Sequence, residues 1–336
     1  MKRNMNEWKQ KWITSQKKKA MPIFSFPGAQ LLGVTVEELV KDGHLQALCM
    51  ERIAEKYPDM GIALSLMDLS VEAEAFGAEI IYSKDDVPTM HGSLITSEEE
   101  ADALAVPQVG AGRTKECIRG IEEACRRIDD RPVFAGIIGP YSLAGRLLDM
   151  TEIMILCYED PDLVETVLKK VTAFLIEYAK AFKAAGANGI LMAEPAAGLL
   201  SPGLIREFST PYVRQIRDAV EDESFLVIYH NCGNVEHQLE QIAEVDAAAY
   251  SFGNAIDIET ALKAIPSDRM VIGNIDPAGT LRNGTPETIR KETRELLERC
   301  SVYPNFIISS GCDIPPMTPF ENMDAFFDTV RKFYNT

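Results

Sequence analysis

Eight short apolar runs alternate with longer amphipathic stretches along this chain, and that alternation leaves few architectures open. The runs cover 21–26, 61–67, 133–138, 189–193, 225–229, 247–252, 270–273 and 306–310. They have the length of buried strands. Between two of them, Leu163, Val167, Val171, Phe174, Tyr178 and Phe182 recur at helical spacing over 161–185. Over 285–299, Thr285-Pro286-Glu287 supplies an N-cap, a proline at the first helical position and an early acid. Strands that alternate with helices return over the sheet and pair in parallel. Eight such units close into a (β/α)8 barrel, with an open doubly wound sheet as the alternative. A ninth apolar run, 78–82, fits an accessory hairpin strand.

No repeat, low-complexity tract or Gly/Ser-rich linker divides the 336 residues. The expected organisation is therefore one catalytic barrel over 21–336, preceded by a basic helical extension over 1–20. In that extension Lys2, Arg3, Lys9 and Lys11 surround Trp8 and Trp12, and the tryptophans are expected to pack on the body. No run approaches the roughly 18 apolar residues needed to cross a bilayer, and the start lacks a signal-peptide pattern, so the expected location is cytoplasmic. A formal charge of -17 argues against nucleic acid, whose phosphates require clustered Lys and Arg. Seven dispersed cysteines read as reduced thiols, not as a disulfide framework. A homo-oligomer stays open.

In an α/β barrel the reactive groups come from loops after the strands. Here the strand ends deliver Asp68, Tyr141, Glu194, His230 with Cys232, Asn274 with Asp276, and Cys312 with Asp313. One imidazole and two thiols form a zinc ligand set, since zinc takes thiolate and imidazole in a tetrahedral shell and a catalytic zinc keeps one position open. Residues i and i+2 of an extended segment face one way, so His230 and Cys232 can address one point. Cys312 would join them from the last strand. The competing reading is two ordinary buried thiols near a histidine. Cys49, Cys117, Cys125, Cys157 and Cys300 fall in helical patterns and read as structural. The stretch 110–115 lacks the Gly-Lys-Ser/Thr ending of a phosphate loop and follows no strand, so it is set aside.

Three longer blocks carry a resemblance: Gly139-Pro140-Tyr141-Ser142-Leu143, Gly273-Asn274-Ile275-Asp276-Pro277, and the run from Gly311-Cys312-Asp313-Ile314-Pro315-Pro316 to Asn322. From about residue 21 onward the chain resembles the uroporphyrinogen decarboxylase superfamily. It is more closely similar to the corrinoid-dependent branch typified by methylcobamide:coenzyme M methyltransferases. The resemblance implies the barrel, with His230, Cys232 and Cys312 as zinc ligands. It also implies a methyl-corrinoid donor carried on a separate corrinoid protein, and a small thiol such as coenzyme M as acceptor. Glu194 would be a resting fourth ligand or the base that takes the thiol proton, with a turn carboxylate before Pro195-Ala196 as its structural alternative. Asp68 matches the pyrrole-binding aspartate of the decarboxylases, with helix capping over 70–77 as its structural alternative. Tyr141, Asn274 and Asp276 would line the cofactor site, although Asp276 could serve only to order the loop before Pro277. Asp313 would hydrogen-bond near the metal.

The chain departs from true decarboxylases in two places. Where they carry an arginine-rich segment for substrate carboxylates, 26–33 contains no arginine, and where they carry Gly-His this chain has Gly311-Cys312. Two thiolates and one neutral imidazole leave zinc formally uncharged, so a sulfur held there stays nucleophilic. The expected function is thus zinc-dependent methyl transfer from a corrinoid to a thiol. Uroporphyrinogen decarboxylation and a non-catalytic corrinoid- or metal-binding barrel are the alternatives.

Overall fold

The computed structural model describes residues 3–335. Its strands, numbered along the chain, are β1 (Ala63–Leu64), β2 (Glu79–Ile81), β3 (Thr89–His91), β4 (Val133–Ile138), β5 (Gly189–Ala193), β6 (Leu226–Asn231), β7 (Ala249–Phe252), β8 (Met270–Ile275) and β9 (Phe306–Ser310). Seven of them form one parallel, curled sheet in the order β1-β4-β5-β6-β7-β8-β9. The remaining two, β2 and β3, pair antiparallel as a separate hairpin, as the run 78–82 suggests.

The strands are apolar on both faces because both faces are covered. Alternate residues point into one buried cluster: Leu64, Phe134, Leu191, Leu226, Ile228, Met270, Ile272 and Ile307 meet there. Their neighbours Ala135, Ile190, Val227, Tyr229, Val271 and Ile308 face the other way, into the cluster shared with the helices. The helix Met5–Thr14 stops the inner cluster at the end where the strands begin. Its Trp8 and Trp12 pack against that cluster, with the Trp8 ring 6.2 Å from Phe134.

Two helices form where their periodicity predicts. Asp160 caps Pro161–Ala184 by accepting the Leu163 N–H at 3.1 Å, and Thr285 caps Pro286–Cys300 by accepting that of Thr288 at 3.3 Å. All seven cysteines are free.

The expectation of eight regular strands needs correction at 21–26, which forms no strand. The segment lies between the two edges of the sheet nonetheless. Ala20 bridges Met60 in parallel, the Met21 N–H donates to the Ile308 carbonyl at 3.0 Å, and the Ile23 N–H donates to Ser310 Oγ at 3.0 Å. Pro22 has no N–H to give a ladder, and a hydroxyl stands where Ile23 would meet a carbonyl. The pairing is therefore too broken for a strand.

Candidate active site

Strand register assembles the site. Ala193 of β5 lies opposite His230 of β6, and His230 lies opposite Ser251 of β7. The carboxyl ends of three adjacent strands thus present Glu194, His230 and Ser251 side by side. Asn231 fixes the exit from β6: its side-chain amide donates to the Glu194 carbonyl at 2.6 Å, and its Oδ1 accepts the Gly233 N–H at 2.8 Å. Gly253 lets β7 end close against this turn, where a Cβ would lie 2.5 Å from Cys232 Cα. At the other end of the sheet, Gly311 leaves β9 by donating its N–H to the Ile275 carbonyl at 2.6 Å, and Cys312 follows.

The result is convergence. One ring nitrogen of His230 and the sulfurs of Cys232 and Cys312 all lie within 4.8 Å of one another. Among the described residues no other group of three such side chains gathers in this way. His230 Nδ1 lies 3.0 Å from Ser251 Oγ, whereas its Nε2 is buried without a partner. A buried ring nitrogen without a hydrogen bond needs an explanation, and a metal is one. The donor set fits zinc, whose tetrahedral shell with Zn–S near 2.3 Å separates ligand atoms by roughly 3.3–3.8 Å. The Cys232 thiol is held well below the ordinary thiol range by the neighbouring Cys312 thiol and by His230 beside it. The same neighbour, together with burial, pushes Cys312 up. The outlying cysteines behave differently, for burial raises Cys49 and Cys117 to about 12 and makes both poor nucleophiles.

Glu194 stands beside this set but outside the converging three. Its Oε1 accepts the Ser142 N–H at 2.6 Å and the Ser142 hydroxyl at 2.9 Å, while its buried Oε2 has no partner. Burial raises the Glu194 carboxyl to about 8, against the opposing pull of Ser142. A carboxyl tuned there exchanges protons near neutral pH.

Asp68 is engaged elsewhere. Its Oδ1 accepts the Ser70 N–H at 3.0 Å and the Ser70 hydroxyl at 2.5 Å, and its Oδ2 pairs with the Arg113 guanidinium. Arg113 also donates to Glu74 Oε2 at 2.6 Å and to Ser70 Oγ at 2.8 Å. Asp313 is half-buried with its Oδ1 enclosed and unpartnered, and desolvation holds its carboxyl well above the usual range.

The three residues expected to line the cofactor site also bond within the fold. Tyr141 turns into the core, its hydroxyl 3.7 Å from Cys157 Sγ, because a helix already begins at Pro140. The Asn274 amide donates to the carbonyls of Gly253 and Ile256 at 2.9 and 3.0 Å. Asp276 Oδ1 accepts the N–H groups of Ala278 and Gly279 at 2.9 and 2.8 Å, which orders the turn after Pro277. Sequence reading passed over Ser142, Ser251 and Arg113. Ser142 lies in a block that carries the resemblance, and Arg113 in the stretch 110–115 that lacks a phosphate-loop ending.

Comparison with known proteins agrees with this geometry. A methylated-thiol–coenzyme M methyltransferase of Methanosarcina mazei is 27% identical over 322 residues, 91% of this chain and 84% of that one. The methylcobamide:CoM methyltransferase MtbA of the same organism is 27% identical over 270 residues, 79% of this chain and 78% of its own. A solved methyltransferase from Methanosarcina mazei superposes with a TM-score of 0.87 at 25% identity, covering 96% of this chain and 97% of the other. The uroporphyrinogen decarboxylase (URO-D) profile spans residues 18–333. With the match running through every strand and the whole His/Cys set, the chain belongs to the uroporphyrinogen decarboxylase family.

Proposed function

We propose that this chain transfers a methyl group from a methyl-corrinoid, presented by a corrinoid protein, to a small thiol activated at zinc. The observation that carries the reading is the convergence of His230, Cys232 and Cys312 with His230 Nε2 buried and unpaired. Similarity to methyltransferases named for methylcobamide and coenzyme M supports donor and acceptor. Zinc held by these three residues would lower the pKa of an incoming thiol so that it attacks as thiolate at neutral pH. A new S–CH3 bond forms as the Co–CH3 bond breaks, and its electron pair stays on cobalt. In this reading Ser251 fixes the His230 ring and Asn231 fixes the chain that carries Cys232. Glu194 takes the thiol proton or rests as a fourth ligand, while Asp68 meets the corrinoid face only when released from Arg113. Tyr141, Asn274 and Asp276 support these loops.

The same proposal covers the frame: one barrel from residue 21 onward, with 20–24 in the eighth strand position between β9 and Met60, an N-terminal extension carrying the helix Met5–Thr14, and a cytoplasmic setting; residues 1, 2 and 336 of the expected segments lie outside the described residues. No helix among the described residues is long and apolar enough to cross a membrane. In place of decarboxylase arginines, Gln30 donates to the carbonyls of Pro316 and Thr318 at 2.7 and 3.1 Å, which disfavours a poly-acid substrate.

The test pairs metal analysis with turnover. Wild type should hold one zinc, and Cys232→Ala and Cys312→Ala should each lose it. Methylcobalamin should lose its methyl group to a thiol in the presence of wild type alone. A zinc-free wild type, or one that leaves methylcobalamin intact with every thiol of a panel, would overturn the reading.

A further inference from the structure

The helix Pro140–Leu148 carries an arginine that the chemistry above does not use. Arg146 is half-buried, yet it forms no hydrogen bond and no ion pair with any described residue. Its charge is attracted to Asp68 and Glu72, but neither carboxylate comes within ion-pairing distance. A guanidinium keeps its proton at any ordinary pH, so its open donors are free to take an anionic partner in place of water. Arg113 nearby differs, because Asp68, Glu74 and Ser70 occupy its donors.

The position of Arg146 gives that free fork a direction. Ser142 lies four residues earlier on the same helix, hence on the same face, and it holds Glu194 next to His230. Asp68 is already paired with Arg113, and 26–33 adds no arginine, so Arg146 is the cation left open for an anion on this side of the site. We propose that Arg146 binds an oxyanion of the substrates, either an acid group on the acceptor thiol or the phosphate in the nucleotide loop of the corrinoid. The assignment rests on the methyl-transfer reading and makes Arg146 a binding residue that selects charged substrates. The guanidinium offers two parallel N–H donors, the geometry that sulfonate, carboxylate and phosphate oxygens accept.

The experiment crosses two thiols with two donors in the zinc-loaded chain, comparing wild type with Arg146→Met. The thiols are 2-mercaptoethanesulfonate and uncharged 2-mercaptoethanol; the donors are methylcobalamin and methylcobinamide, which lacks the phosphate. If the acceptor supplies the oxyanion, KM for the sulfonate thiol rises about 10- to 100-fold while that for 2-mercaptoethanol holds. If the corrinoid supplies it, the rise follows methylcobalamin and spares methylcobinamide. No rise for either charged partner, or an equal rise for 2-mercaptoethanol with methylcobinamide, overturns the assignment. Should Arg146→Met lose its melting transition, Arg146→Lys keeps the charge without the fork and must show a smaller rise of the same pattern; no rise there also overturns it. Calorimetric binding of ethanesulfonate and of inorganic phosphate separates the two layers. A wild type that binds either ion through Arg146 but transfers no methyl group sinks the transfer reading alone. A wild type that transfers methyl while binding neither ion sinks the role of Arg146 alone.

Discussion

His230 Nδ1 and Ser251 Oγ lie 3.0 Å apart across the register of β6 and β7, and this contact decides which ring nitrogen faces the two thiols. A ring held through Nδ1 keeps Nε2 available as a ligand, and such outer contacts commonly set metal affinity within a factor of 10–100. Ser251→Ala should therefore keep zinc at saturation but bind it roughly 10- to 100-fold more weakly. His230→Ala should lose it outright. Competition with a chromophoric chelator measures both, and an unchanged affinity in Ser251→Ala would remove the hydroxyl from the site.

Gly139 and Glu194 make a second pair that tolerates no added atom. A Cβ on Gly139 would collide with Glu194 Oε2 and lie 2.6 Å from its Cδ. Gly139→Ala must displace the carboxyl from Ser142, which is expected to lower stability by about 1–3 kcal/mol and to cut methyl transfer. In a Glu194→Ala background the same change should cost less, since most of the obstructing atoms are gone. Urea denaturation of the four chains in this cycle gives the coupling. Strict additivity would show that Gly139 is not there to seat Glu194.

What could be read from the chain follows from how local the relevant contacts are. His230 and Cys232 were legible because two residues on an extended segment share a face, and Cys312 because a thiol follows a glycine at a strand end. Ser251 was not, since its role exists only through the pairing of β7 with β6. Arg113 hid in a loop resembling a failed phosphate site, and its meaning depends on Asp68, 45 residues earlier. Tyr141 was placed at a strand end, yet the helix that starts at Pro140 rotates its ring inward to Cys157. The segment 21–26 has the apolar character of a strand, but Pro22 removes the donor that a ladder needs.

Arg131 offers a structural control at the opposite end of the strands. Buried just before β4, it donates to the carbonyls of Tyr57 at 2.8 Å and of Met60 and Ala54 at 3.2 Å each, closing the end of the helix Gly43–Lys56. Arg131→Met leaves those acceptors without their charged donor, a loss of about 3 kcal/mol. Zinc content and methyl transfer should be unchanged once the variant is folded. A variant of wild-type stability would show that water replaces the guanidinium.

Glu72 makes stability depend on pH. It is buried, its Oε1 accepts the Ile138 N–H at 3.1 Å, and its Oε2 is unpartnered. Burial raises its carboxyl from 4.5 to about 7, outweighing that N–H bond. Between these two values the folded chain holds a proton that the unfolded chain has released, so stability falls as pH rises. The contribution is fully present below about pH 4.5 and is lost as pH climbs through about 7, amounting to about 3 kcal/mol. Glu72→Gln keeps the acceptor for Ile138 and cannot ionise. It should match wild type near pH 4.5 and exceed it by about that amount at pH 8. Urea midpoints for both proteins across this range provide the check. Parallel curves would mean that Arg146, or a water on Oε2, keeps Glu72 charged at neutral pH.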